Sequence, residues 1–147
     1  MKVRLISSVV FVSVLVCGVG FSVRPAFAQG LPDGVPSGAE TAKLVAYIDG
    51  DKFRVEIDGE EEEINLIGTD APEVGDGEDD LGECYAEEAS KRIEALIEKD
   101  GTVYLEKDEQ NKDGKDRLLR YVWLEGKDGK KAYLLNTKMV REGFATF

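Results

Sequence analysis

Two tight turns close to one another constrain this chain more than any other feature. Asp49-Gly50-Asp51 and Asp58-Gly59 bracket residues 52–57. Between them Phe53, Val55 and Ile57 alternate with Arg54 and Glu56, the period of a strand with one buried face. Upstream, Leu44, Val45, Tyr47 and Ile48 mark Thr41–Ile48 as a strand. Asp-Gly is a favoured pair for a hairpin turn, because both residues tolerate positive φ. A short strand between two reversals pairs with both neighbours. With a third strand over Ile64–Thr69, the pattern predicts an antiparallel meander.

That third strand ends in the stretch Asn65–Glu73, N-L-I-G-T-D-A-P-E, an acidic corner stiffened by Pro72. Val74–Glu83 has glycines, acids and no period, and is expected to be a flexible surface loop. From Tyr85 the period changes. Ala86, Ala89, Ile93, Leu96 and Ile97 make one apolar helical stripe, with Glu87 and Glu88 in the first turn, Lys99 in the last and Gly101 as the stop. Thr102–Leu105 and Arg117–Leu124 read as strands four and five. Leu135–Glu142 reads as a short helix stopped by Gly143, and Phe144 and Phe147 are placed to cover a barrel end. The loop Asp108–Asp116 faintly resembles a calcium loop, but its closing acid falls at Arg120. Five strands with a helix between the third and fourth is the element order of an OB-fold, a small β-barrel with helices (α+β).

With 147 residues there is room for one such domain. Lys2 and Arg4, the apolar run Leu5–Val23 and Ala26-Phe27-Ala28 form a secretory leader, so residues 1–28 are expected to be cleaved. An uncleaved membrane anchor is the alternative, since the apolar run approaches spanning length. Residues 29–39, rich in Gly and Pro, read as a mobile linker, and residues 40–147 as the folded domain. Cleavage removes three cations and no acid, taking the formal charge from −11 to −14. General attraction to polyanions is thereby excluded, and any nucleic-acid contact needs a local cation or a metal. Only Cys84 remains after cleavage, so no internal disulfide forms; it reads as a small buried or half-buried residue near a helix start.

The two acidic turns bring Asp51, Asp70 and Glu73 toward one another across the sheet. Calcium takes several hard oxygen ligands. Asp51 and Asp70 offer carboxylates and Ala71 a carbonyl held by Pro72. Glu73 is placed to orient a water as a general base. Arg117, opening a strand after a polar loop, offers planar two-pronged contact to a phosphate. Each alone is also an ordinary turn or rim charge; together and in order they describe a phosphodiester site.

At these residues a family resemblance emerges. V-A-Y-I-D-G-D, N-L-I-G-T-D-A-P-E, C-Y-A-E-E-A, R-L-L-R-Y-V-W and N-T-K-M-V-R-E-G-F-A, over roughly residues 41–147, resemble the staphylococcal nuclease (thermonuclease) family. The resemblance implies a five-stranded OB-fold and Ca²⁺-dependent hydrolysis of DNA or RNA. It also implies metal ligands at Asp51, Asp70 and the Ala71 carbonyl, Glu73 as base or water-positioning group, and Arg117 on the scissile phosphate. The sequence departs from the family at five places. Asn65 stands where active members carry a second arginine, and losing one such contact typically costs about 10²–10³ in rate. Lys52 replaces the usual Thr after D-G-D, and Asp116 the usual Gly before the arginine. Gly114 and Lys115 replace a lysine–tyrosine pair. The chain is expected to be C-terminally short of a tyrosine-bearing segment and last helix. Two functions follow. One is a secreted, monomeric calcium-dependent nuclease, weakened by Asn65, acting on single-stranded or denatured DNA or on RNA. The other is a non-catalytic OB module that binds calcium, an oligonucleotide or a protein partner.

Overall fold

The alternation between the two Asp-Gly turns becomes strand β2, Lys52–Ile57, in the computed structural model, which describes residues 30–75, 77, 80–129 and 131–147. Asp58 and Gly59 both take positive φ, 52° and 88°, as a two-residue hairpin of the favoured hand requires. Strand β1 is Glu40–Tyr47 and β3 is Glu60–Leu66. Both pair antiparallel with β2, with Leu44 opposite Val55 and Lys52 opposite Asn65. A bulge between Leu44 and Ala46 shifts the register of β1, a device that adds twist to a strand entering a barrel.

Helix α1 (Ala86–Leu96) follows, then β4 (Thr102–Glu106), β5 (Leu118–Glu125), β6 (Ala132–Leu134) and α2 (Leu135–Arg141). Strand β4 pairs with β1 and with β5, and β5 returns parallel to β3, with Ile64 opposite Leu118. The five strands β1 to β5 thus close into the expected OB-type barrel, and β6 extends from β5. Alternate positions fill its interior: Leu44, Phe53, Val55, Ile64, Leu66, Val103, Leu105, Val122 and Leu124. The helices add Ala89, Ile93, Leu135 and Met139. Each large side chain among these contributes about 1.5–3 kcal/mol by leaving water.

Several details differ from expectation. Strand β3 starts at Glu60, four residues before the expected Ile64, and ends at Leu66. Exposed residues of a barrel strand need not be apolar, and Glu60–Glu63 pair residue by residue with β2. Gly68, at φ 61°, ends the strand's extended run before Thr69. Helix α1 ends at Leu96, leaving Lys99 beyond its last turn. The three-residue β6 is too short to show a period. Phe144 packs against the core and stacks on Tyr85 at 5.7 Å, whereas Phe147 is 90 % exposed and covers nothing. Cys84 is exposed, not buried, because the chain before α1 stays on the surface until Ala86.

The stretch 31–39, expected to be mobile, carries two turns and a bridge from Asp33 to Lys131, where the Asp33 carbonyl accepts the Ala132 N–H at 2.8 Å. The leader at residues 1–28 and Gln29 lie outside the described residues. Among the described residues no helix is long and apolar enough to cross a membrane.

Candidate phosphodiester site

The first acidic turn is built for close approach. A Cβ on Gly50 would meet Ala89 Cβ at 2.6 Å and Ala71 Cβ at 2.7 Å, so only glycine lets the turn lie between helix α1 and the second acidic corner. Asp49 Oδ1 accepts the Asp51 N–H at 3.1 Å, a local turn that fixes both carboxylates. Asp51 Oδ2 accepts the Ala71 N–H at 3.3 Å, joining the two corners. The second corner is held from behind: Asp70 and Thr146 exchange backbone hydrogen bonds at 2.9 and 2.8 Å. Glu73 is anchored to the loop that follows. Its N–H donates to Glu83 Oε2 at 2.9 Å and its carbonyl accepts the Glu83 N–H at 2.8 Å. Gly75 and Gly82 pass so closely that a Cβ on Gly82 would lie 2.3 Å from the Gly75 nitrogen. The expected loose loop is therefore strapped at both ends.

Lys52 decides the character of this end. It has the parity of Arg54 and Glu56, not of the inward Phe53 and Val55, yet its side chain is only 7 % exposed, covered by the two acidic corners. Nζ donates to Asp51 Oδ1 at 2.8 Å, to Glu73 Oε1 at 2.8 Å and to Asp49 Oδ2 at 3.1 Å. Burial alone would favour the neutral amine, but the hydrogen bonds to Asp51 and Glu73 outweigh it, and Lys52 is held protonated well above the ordinary lysine range. Burial, and then Asp51, push the Asp49 carboxyl up.

Arg117 stands at the other end, at the start of β5. Asp113, four residues earlier, holds it: Oδ2 accepts Arg117 Nε at 2.6 Å and Asn65 Nδ2 at 3.2 Å, while Oδ1 accepts the N–H groups of Lys115 at 2.8 Å and Arg117 at 3.1 Å. Burial works against this carboxylate's charge, but these donors, the Lys115 N–H foremost, hold it far below the usual carboxylate range. Asn136 ties the frame beneath. Its Oδ1 accepts the Val122 N–H at 2.9 Å, and its Nδ2 donates to the carbonyls of Ile67 at 3.0 Å and Arg120 at 3.2 Å.

Asp51, Lys52, Asn65, Asp70, Glu73, Arg117 and Phe147 line one open cleft of about 460 Å³. Of the residues singled out from the sequence, Asp51, Asp70, Glu73 and Arg117 are brought together; Ala71 is buried behind them at 3 % exposure. Sequence reasoning missed Asp113 and the part played by Asp49. Asp113 sat in a loop judged by its failure to match a calcium motif, although an acid four residues before an arginine across a Gly-Lys turn was a usable signal.

The implied calcium can be tested against these donors. Calcium takes roughly six to eight oxygens. Here both Asp51 oxygens are engaged, one by Lys52 and one by the Ala71 N–H. Among the described residues no three acidic or thiol side chains converge to hold a metal ion. An ammonium is bonded to Asp51, one of the carboxylates that such an ion would need, and to Glu73 beside it. With Lys52 in this position the residues present do not fit calcium.

Comparison with known proteins agrees with the fold. Residues 63–147, more than half of the chain, match the family described as staphylococcal nuclease homologue. The chain belongs to this family. Among relatives of this nuclease-homologue domain, the thermonuclease of Staphylococcus hyicus is 36 % identical over 106 residues, 72 % of this chain and 58 % of that protein. The thermonuclease of Staphylococcus intermedius is 34 % identical over the same length and shares. The chain thus spans less than two thirds of these curated relatives. The family match begins inside β3, so the Asp49–Lys52 turn lies before it.

Proposed function

We propose that this domain is a nuclease acting on DNA or RNA phosphodiesters, and a weak one. The observation that carries the reading is the single cleft that gathers Glu73 and Arg117 at one end of an OB barrel in a member of the staphylococcal nuclease homologue family. Arg117 keeps its Nε on Asp113, which leaves its terminal amino groups to meet a phosphate oxygen. Glu73, exposed and bonded to Lys52 through Oε1, has its second oxygen to hold an attacking water and take its proton. Lys52 neutralises part of the carboxylate charge that a phosphate would otherwise meet. The low activity has two physical causes. Asn65 brings no positive charge to the phosphate, and five carboxylates (Asp49, Asp51, Asp70, Glu73 and Asp113) face two cations around the cleft.

Calcium dependence, which the resemblance implies, is not part of this proposal, because Lys52 holds oxygens of Asp51 and Glu73. Action after export remains part of it, on the strength of the leader-like residues 1–28, and so does action as a monomer. The neutralised state of both cations favours a second reading, a module that binds oligonucleotide without cutting it. The test is cleavage of heat-denatured DNA by the purified chain, with calcium or with chelator, beside Glu73→Gln. The nuclease reading expects product from the wild type and a loss of about 10²-fold or more in the variant. Equal rates would overturn the assignment of Glu73. Binding of an oligonucleotide with no cleavage under either condition would establish the second reading.

A further inference from the structure

We propose that the Lys52 ammonium is the resident cation of this site, taking the place of a divalent metal, so that the wild-type domain does not take up calcium there. The inference concerns the cleft of the nuclease reading but not its chemistry.

The geometry accounts for every proton. An ammonium has three N–H donors, and Lys52 Nζ spends one on each of three carboxylates: Asp49, Asp51 and Glu73. Two of these, Asp51 and Glu73, are residues that a metal at this corner would bind directly or through water. The contacts at 2.8–3.1 Å are hydrogen-bond lengths. A calcium ion sharing Asp51 would need to stand within a few ångströms of a fixed positive charge, and it would have to win its oxygens from charge-assisted hydrogen bonds.

The lysine cannot easily step aside. It is 7 % exposed, and so both Asp49 and Asp51, each 4 % exposed, would be left as buried anions without it. Its stem leaves β2 opposite Asn65, so the same strand pairing that forms the barrel aims it into the cleft. A tethered cation differs from a bound ion in two ways. It cannot be removed by a chelator, and it carries one charge instead of two. The carboxylates remain in excess, which leaves the cleft far less attractive to phosphate than a calcium-loaded one.

The test uses calcium chloride alone, with magnesium as control and no nucleic acid, read by calorimetric titration and thermal melting of the whole chain. The wild type should show no saturable calcium heat and no calcium-dependent rise in melting temperature. Lys52→Thr should melt lower without metal, bind calcium at least about tenfold more tightly than the wild type, and regain melting temperature as calcium is added. Should this variant fail to fold even with calcium, Lys52→Thr combined with Asp49→Asn, which removes one of the unpaired buried charges along with the cation, carries the same comparison. Equal calcium binding by wild type and variant, or none by any folded variant, overturns the proposal. Because nothing is cleaved in this experiment, its outcome is separate from the fate of the nuclease reading.

Discussion

The two ends of the cleft solve opposite electrostatic problems with the same tool. At the acidic end, Asp49, Asp51 and Glu73 surround one ammonium. At the basic end, Arg117 and Asn65 converge on one carboxylate, Asp113. Each end therefore satisfies itself before any ligand arrives. The difference lies in what is left over. The Arg117 end keeps terminal donors for a phosphate, whereas the Lys52 end has committed every donor it owns. A site can thus keep its residues in place and still lose function, because pre-satisfied groups have little to offer a substrate.

Breaking the acidic end should have the largest effect. Lys52→Met leaves two buried carboxylates without a partner and should cost about 3–5 kcal/mol, measured by denaturant unfolding. Breaking the basic end should cost less. Asp113→Asn keeps the shape and some of the hydrogen bonds, so a loss of about 1–3 kcal/mol is expected, and any turnover should fall because Arg117 loses its brace. A variant that cleaves as fast as the wild type would show that Arg117 needs no holder.

Asn65→Arg sharpens the comparison by adding a cation at the basic end. Turnover on denatured DNA should rise about tenfold if phosphate charge is what the cleft lacks, with stability nearly unchanged. No gain would point to the binding reading.

The smallest effect is a difference in pH response between the ends. Asp113 titrates lower when folded than its ordinary 3.8, so its contribution is present above that value and is lost as pH falls below it. Lys52 titrates higher when folded than its ordinary 10.5, so its contribution is complete below that value and is lost only as pH rises further. Unfolding free energies of wild type and Asp113→Asn should therefore converge below about pH 4, by roughly 1 kcal/mol. Wild type and Lys52→Met should converge in acid as well, because the carboxylates whose burial makes this variant costly become neutral there, but only this pair should also converge in alkali, above the ordinary 10.5 of lysine. Convergence of the Asp113 pair in alkali would contradict the assignment.

The parts of the fold that were legible in the sequence share a cause. The turns at Asp58-Gly59 and Asp49-Gly50-Asp51, the alternation of β2 and the stripe Ala86–Ile97 are local patterns whose geometry is set by neighbours in the chain. What escaped was set by partners far away. Glu60–Glu63 became strand because β2 lies beside them, and β6 formed because β5 had an edge to offer. At the site, residue types at Asp51, Asp70, Glu73 and Arg117 were enough to expect a shared cleft. The direction of Lys52 was not readable, since it depends on whether the first residue of a strand follows the alternation of the rest. Asp113 was overlooked partly for a similar reason: Asn65 reaches it only when β3 lies beside β5, although its bond to Arg117 is local.

The pairing of Asp70 with Thr146 has a practical consequence. It brings residue 147 to the wall of the cleft, where its ring is exposed to solvent and 4.0 Å from the position a Cβ would take on Gly68. A fluorescent group attached at this position would sit at the mouth of the site as a built-in reporter. Its emission would change when an oligonucleotide enters, with no label on the ligand.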